Sequence, residues 1–181
     1  RYGTGGTFDT TEDGYDPADP GRSPRAGDWS GLYFGPASEA SIDQAVIAYA
    51  GGRSAIEGEG YASFDPVEIQ QAHARVTNTR FEHNTGGSAG GTRNGRGSVQ
   101  TATIFVRGAQ PVIASNDFID NDGPIVSINA NSLISEVVSD WGRSTGGLSD
   151  FDAYDDNHGP LVRENRMTDN GINGMDCLIY T

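Results

Sequence analysis

The amino-acid sequence predicts an all-β chain wound as a parallel β-solenoid. Three observations carry that prediction: a nine-residue phrase that returns at uneven intervals, a strand-like run upstream of each return, and a composition rich in turn-forming residues.

The phrase is clearest in "VTNTRFEHN", "IASNDFIDN" and "VRENRMTDN", which end on Asn84, Asn121 and Asn170. Three places before that Asn stands a large apolar residue, Phe81, Phe118 or Met167, and eight places before it a β-branched one, Val76, Ile113 or Val162. The fifth place back holds Thr79, Asn116 or Asn165, and Gly follows the Asn within two positions. A worn fourth copy is read in "SIDQAVIAYAGG", with Val46, Tyr49 and Gly51 in the apolar, Asn and Gly slots. The copies then lie 35, 37 and 49 residues apart.

Each copy has its own upstream run. "WSGLYFG" precedes the first, "VEIQQAH" the second, "TATIFVRG" the third and "GPIVSIN" the fourth, and "GMDCLIYT" begins a fifth unit. One unit is therefore a strand, a corner, a short strand around the β-branched residue, a second corner, and a short strand carrying Phe or Met. That is one coil of a solenoid, and about four to five coils are expected. Corners face water and accept insertions at small entropic cost, which accounts for the uneven intervals. Asn suits the corner on two grounds: it tolerates left-handed backbone, and its amide can bond to the same group one coil away, about 4.8 Å along the axis. A β-sandwich is the competing arrangement, but few two-residue hairpin turns are visible.

Composition bounds the function. Hydrophobic residues make up 35% of the 181, and 26 are Gly, which favours short strands and tight turns over long amphipathic helices. The net charge is −13 and all 12 basic residues are Arg, so binding to nucleic acid or to anionic lipid is disfavoured and Lys-dependent chemistry is excluded. Cys177 is the only cysteine, so no intrachain disulfide forms. No apolar run approaches the roughly 20 residues that span a bilayer, and direct membrane insertion is not expected. The chain opens on "RYGTGGTF" without Met and closes on "DCLIYT", which reads as an excerpt of a longer protein.

Together "AGDWSGLYFGPASEASIDQAVIAYAGG" and "GPLVRENRMTDNGINGM" resemble the right-handed parallel β-helix regions, of the pectate-lyase-like superfold, in very large secreted or surface-attached bacterial proteins. The resemblance implies the handedness of the coil, an extracellular or cell-surface location, and a fold that carries lyases, hydrolases, adhesins and inert spacers alike. On this reading the chain is one segment: an acidic, loop-rich stretch at 1–28, coils at 29–128, an inserted loop at 129–159 and a further coil at 160–181.

Three loops hold the unusual residues. The first carries Asp9, Asp13, Asp16 and Asp19 among Gly and Pro, oxygen donors suited to Ca²⁺ although not at EF-hand spacing; a solvated acidic loop is the plainer reading. The second, "NTGGSAGGTRNGRG", is Gly-rich but lacks the Lys-Ser/Thr pair of a phosphate loop, and leaves Arg93 and Arg96 as contacts for an anionic partner. The third places Asp150, Asp152, Asp155, Asp156 and His158 near Trp141 and Tyr154. There Asp155, Asp156 and His158 are the catalytic candidates, Trp141 and Tyr154 the glycan-binding candidates, and Asp150 and Asp152 further candidates for Ca²⁺. Asp155-Asp156 and His158-Gly159 resemble the paired Asp and Gly-His-Gly of β-helix polysaccharide hydrolases, but the Arg-x-Lys element of that family is missing. His73 and His83 are too scattered for zinc and read as strand or corner residues.

The expected function is a non-enzymatic structural or adhesive segment of a large extracellular protein, with Ca²⁺ as the one cofactor to test. Its expected partners are the rest of that chain or other envelope and surface proteins, and polysaccharide. A polysaccharide lyase or hydrolase, or a carbohydrate-binding module, is the alternative.

Overall fold

The computed structural model describes residues 24–35, 38–56, 60–87, 99–129 and 160–178, with 172–178 as backbone. Among the described residues every regular element is a β-strand. Three strands open the chain's first passage: β1 (Leu32–Phe34), β2 (Glu39–Asp43) and β3 (Val46–Ala48). The hairpin β4 (Arg53–Ile56) and β5 (Gly60–Ser63) follows, then β6 (Val67–Gln70), β7 (His73–Thr77) and β8 (Arg80–Glu82). The same three-strand order returns as β9 (Ile104–Arg107), β10 (Val112–Ala114) and β11 (Asp117–Ile119), and again as β12 (Pro124–Asn129), β13 (Leu161–Arg163) and β14 (Arg166–Thr168). Finally, β15 (Ile172–Leu178) joins the sheet of β12.

Three parallel sheets result. Sheet A has the order β1-β6-β9-β12-β15, sheet B the order β13-β10-β7-β2 and sheet C the order β14-β11-β8-β3. Each passage of the chain through A, B and C adds one strand to every sheet, so the passages stack as rungs. The arrangement is consistent with a β-helix or solenoid, and all five upstream runs read from the sequence supply the strands of sheet A.

Register explains the phrase. Ile42, Val76, Ile113 and Val162 are successive Cα partners across sheet B, and Ile47, Phe81, Phe118 and Met167 across sheet C. These columns point inward, joined by Ile69, Val106 and Ile128 from sheet A. Phe81 and Phe118, both 0% exposed, stack with centroids 4.8 Å apart and planes 12° from parallel. Each such side chain contributes about 1.5–3 kcal/mol of burial, and the stacked pair about 0.5–1.5 kcal/mol more.

Two expectations are corrected here. In the worn copy the apolar slot belongs to Ile47 and the Asn slot to Ala50, because Ile47 pairs with Phe81 and the Ala50 N–H donates to Asn84 Oδ1, 34 residues on. Val46 instead faces outward and is 51% exposed. The second correction concerns the corner. The left-handed residue is the one before each Asn or its equivalent: Gln44, Asn78, Ser115 and Glu164 at the B-to-C corner, and Tyr49, His83, Asp120 and Asp169 at the C-to-A corner, all with φ between 49° and 60°. The Asn itself has ordinary backbone and turns its side chain inward. Asn84 and Asn121 are 0% and 1% exposed, so their amides are committed to hydrogen bonds rather than to water.

Those amides form two columns. In the first, Asn121 Oδ1 accepts from the Asn84 N–H (3.1 Å) and Asn84 Nδ2 (2.8 Å), while Asn121 Nδ2 donates to Phe81 O (3.0 Å) and to Asn170 Oδ1 (2.9 Å). In the second, Asn116 Oδ1 accepts from the Thr79 N–H at 3.0 Å, and Asn116 Nδ2 donates to Val76 O and Asn165 Oδ1, both at 3.0 Å. Every rung is thereby bonded to the next by side chains as well as by the sheets. Gly51 shows how tightly the corners are drawn: its φ is 98°, and a Cβ there would lie 1.7 Å from Thr85 O.

Candidate functional site

Sequence reasoning placed its chemistry on inserted loops. Asp9, Asp13, Asp16, Asp19, Trp141, Asp150, Asp152, Tyr154, Asp155, Asp156 and His158 all lie outside the described residues, as do Arg93 and Arg96. Among the described residues no three His, Cys, Asp or Glu side chains come together in a group that could hold a metal ion, and no helix is long and apolar enough to cross a membrane. His73 is an exposed strand residue on β7 and His83 a corner residue, as their spacing suggests.

The most specialised polar arrangement in the described residues was not expected. Simple alternation along "VEIQ" points Glu68 and Gln70 out of sheet A toward solvent, yet they are 0% and 3% exposed. Glu68 Oε1 accepts the Asp65 N–H at 3.0 Å, and Glu68 Oε2 accepts from Gln70 Nε2 at 3.0 Å. Arg107 Nη1, on the next rung, donates to Gln70 Oε1 at 3.2 Å. Asp65 is also buried, and its Oδ1 accepts the N–H groups of Gly87 (2.7 Å) and Ala102 (3.0 Å). These bonds fold the backbone around Gly87 and Ala102 over the outside of sheet A. A small apolar cluster of Val99, Ala102 and Phe105 closes there, and Tyr33 meets Phe64 edge to face at 6.5 Å. Gly87 permits the approach, since a Cβ would fall 2.8 Å from the Phe64 carbonyl carbon. The available signal was the "DPVE" turn, whose Asp and Glu are three apart and bond locally, in the manner of a capping box.

A second arrangement sits at the C-to-A corner. The rings of Tyr49 and His83 stack at 5.4 Å and 13°, and His83 Nδ1 lies within hydrogen-bonding distance, 2.7 Å, of Asp120 Oδ2. Arg25, Tyr49, His83, Asp120 and Asp122 line a shallow groove beside it. All three members of the Tyr-His-Asp column occupy equivalent left-handed positions on successive rungs, so corner geometry alone brings them together.

The outer faces of sheets B and C carry a sparse charge pattern. Asp43 accepts from Thr77 Oγ1 (2.6 Å) and Asn78 Nδ2 (2.9 Å), and these two bonds, with Arg75 nearby, hold its carboxyl below the usual value of 3.8. Arg166 Nε donates to Asp117 Oδ1 at 2.8 Å, which raises the guanidinium above its ordinary value. Both are exposed pairs of the kind that contributes little to stability.

These features define a class: an all-β chain of parallel strands stacked in register, compatible with a parallel β-helix, whose distinctive polar side chains tie rung to rung or fasten a covering loop. Comparison of the chain with protein-family models, with curated proteins and with solved structures returned no match.

Proposed function

We propose that this chain is a segment of a right-handed parallel β-helix that acts as a stiff structural or adhesive rod in a large extracellular or cell-surface protein. The handedness follows the resemblance of its repeated phrase to such regions. The observation that carries the reading is the pair of Asn columns beside the Phe column. Asn116 and Asn121 each use both amide atoms to bond the rungs on either side, inside an apolar core that is continuous along the stack. A rod of this kind resists bending because each rung is held to the next by three sheets and two side-chain columns.

Pulling the chain between attachment handles in a single-molecule force instrument tests the reading. Rungs offset by 34, 37 and 49 residues should release in separate steps, each lengthening the tether by about 120–170 Å at roughly 3.4 Å per residue. A chain that yields at negligible force would not serve as a rod. Product release from polysaccharides by the purified chain would instead establish the enzymatic alternative.

A further inference from the structure

We infer that Asn170 and Gly171 form a self-modification site that the stack holds dormant. When the rung carrying β14 opens, the dipeptide converts itself to aspartyl-glycine and isoaspartyl-glycine, with water as the only co-reactant.

The chemistry starts from the sequence. Asn84 is followed by Thr85 and Asn121 by Asp122, but Asn170 is followed by Gly. A Gly nitrogen has no side chain beside it to obstruct its approach to the Asn side chain, and the Gly backbone turns freely into the required conformation. The Gly171 nitrogen gives up its proton and bonds to Asn170 Cγ, the Cγ–Nδ2 bond breaks, and ammonia leaves carrying that proton. Water then adds to either carbonyl of the cyclic imide. One opening yields aspartate, and the other yields isoaspartate, in which the main chain runs through the former side chain.

Packing demands both members of this labile pair. Asn170 is fixed by its place in the amide column. Gly171 is fixed by the rung beneath it: a Cβ there would lie 2.9 Å from the Gly123 backbone nitrogen and 3.5 Å from Asp122 Cα. The close approach of one corner to the next therefore puts Gly directly after the column Asn.

The same packing withholds the reaction. The Gly171 N–H donates to Asn121 O at 2.7 Å, so the proton that must leave is bonded to the neighbouring rung. Asn170 Nδ2 donates to Phe118 O at 3.0 Å, and Asn170 Oδ1 accepts from the N–H and Nδ2 of Asn121, both at 2.9 Å. Asn170 is only 9% exposed. Cyclisation must break these bonds, so it proceeds from an opened rung at a rate scaled by the opening equilibrium. Its product does not restore them. An aspartate at this place has no donor for Phe118 O and carries charge into a buried position. Isoaspartate also lengthens the main chain by a methylene just ahead of β15, which meets β12 at Ile172 and Pro124. Opening of this rung is thereby recorded in the covalent structure.

The test incubates the full chain in mildly alkaline buffer, folded and in unfolding urea, and follows residue 170 by peptide mass spectrometry with chromatographic separation of isoaspartate. Asn-Gly also stands at 94–95, outside the described residues, and at 173–174, on β15, so fragment ions must distinguish Asn170 from Asn173. Conversion should be at least about tenfold slower in the folded chain than in urea, and the slowing should match the amide-exchange protection of Gly171 under the same folded conditions. Equal rates in the two conditions, a slowing unrelated to that protection, or no conversion in urea would overturn the inference. Asn170→Asp, made directly, should unfold at a lower urea concentration than the wild type, and an unchanged midpoint would overturn the role given to the Asn170 amide. The rod reading stands apart from these outcomes, since stepwise unfolding under force does not depend on the modification.

Discussion

Replacing Asn121 by Ala removes the centre of one side-chain column. The wild-type amide accepts from the Asn84 N–H and Asn84 Nδ2, and donates to Phe81 O and Asn170 Oδ1, with its side chain in a residue 1% exposed. Truncation strands the buried Asn84 N–H, one of the two Asn84 Nδ2 hydrogens (the other still donates to Ile47 O) and the acceptor Phe81 O. Asn170 Oδ1 is still served by the backbone N–H of residue 121, at 2.9 Å. At about 1–3 kcal/mol for each stranded buried group, reduced by partial relaxation, the loss is about 3–5 kcal/mol. Urea unfolding followed by circular dichroism and by tryptophan fluorescence reads this directly, and disagreement between the two probes would reveal rungs that melt separately. A loss below about 0.5 kcal/mol would refute the reasoning, because it would mean the amide is solvated or the column is not formed.

Three other outcomes follow from particular residues. Gln44→Gly should leave stability unchanged or raise it by up to about 1 kcal/mol, since Gln44 holds φ 52° with no side-chain bond among the described residues, while Ala45→Gly should cost about 0.5–1 kcal/mol; urea midpoints in the reverse order would misplace the left-handed corner residue. Gly87→Ala forces a Cβ against the Phe64 backbone, at 2.8 Å, and should cost about 1–3 kcal/mol in the same assay; an unchanged midpoint would mean the covering loop is not seated on sheet A. Asp43 has a folded-state value below its ordinary 3.8, so its contribution is present above the unfolded value and is lost as pH falls through the folded one. Below about pH 4 the wild type should therefore lose more stability than Asp43→Asn, and parallel pH profiles would contradict that.

Much of the fold was legible because the solenoid repeats its demands. A column needs the same residue type on every rung, so Phe81, Phe118 and Met167, or Asn84, Asn121 and Asn170, announce themselves even when 37 and 49 residues separate them. The first rung was misread by one position because Ala50 replaces Asn there, and Val46 and Tyr49 offered a plausible frame that only strand pairing resolves. Placing left-handed backbone on the Asn was an error of the same kind. Asn favours that conformation in isolation, but here the inward amide is held by hydrogen bonds to the rungs on either side, so the turn falls to the preceding residue, whether Tyr, His or Asp. The antiparallel hairpin of β4 and β5 was not legible because it lies outside the repeat, and the buried Glu68 was not legible because its burial depends on what covers sheet A. The loop residues singled out for calcium, glycan or catalysis lie outside the described residues, so their chemistry rests on sequence alone.

Solution NMR of the isotope-labelled chain tests the stacking most directly. Parallel rungs require close contacts between the backbone protons of Val76 and Ile113, and of Ile113 and Val162, with the neighbouring pairs Arg75–Val112 and Ala114–Arg163 displaced in the same direction along the sequence. Contacts at those constant offsets are the predicted result. Pairings whose sequence numbers rise on one strand while falling on its neighbour would show antiparallel hairpins and contradict the stacked, parallel arrangement.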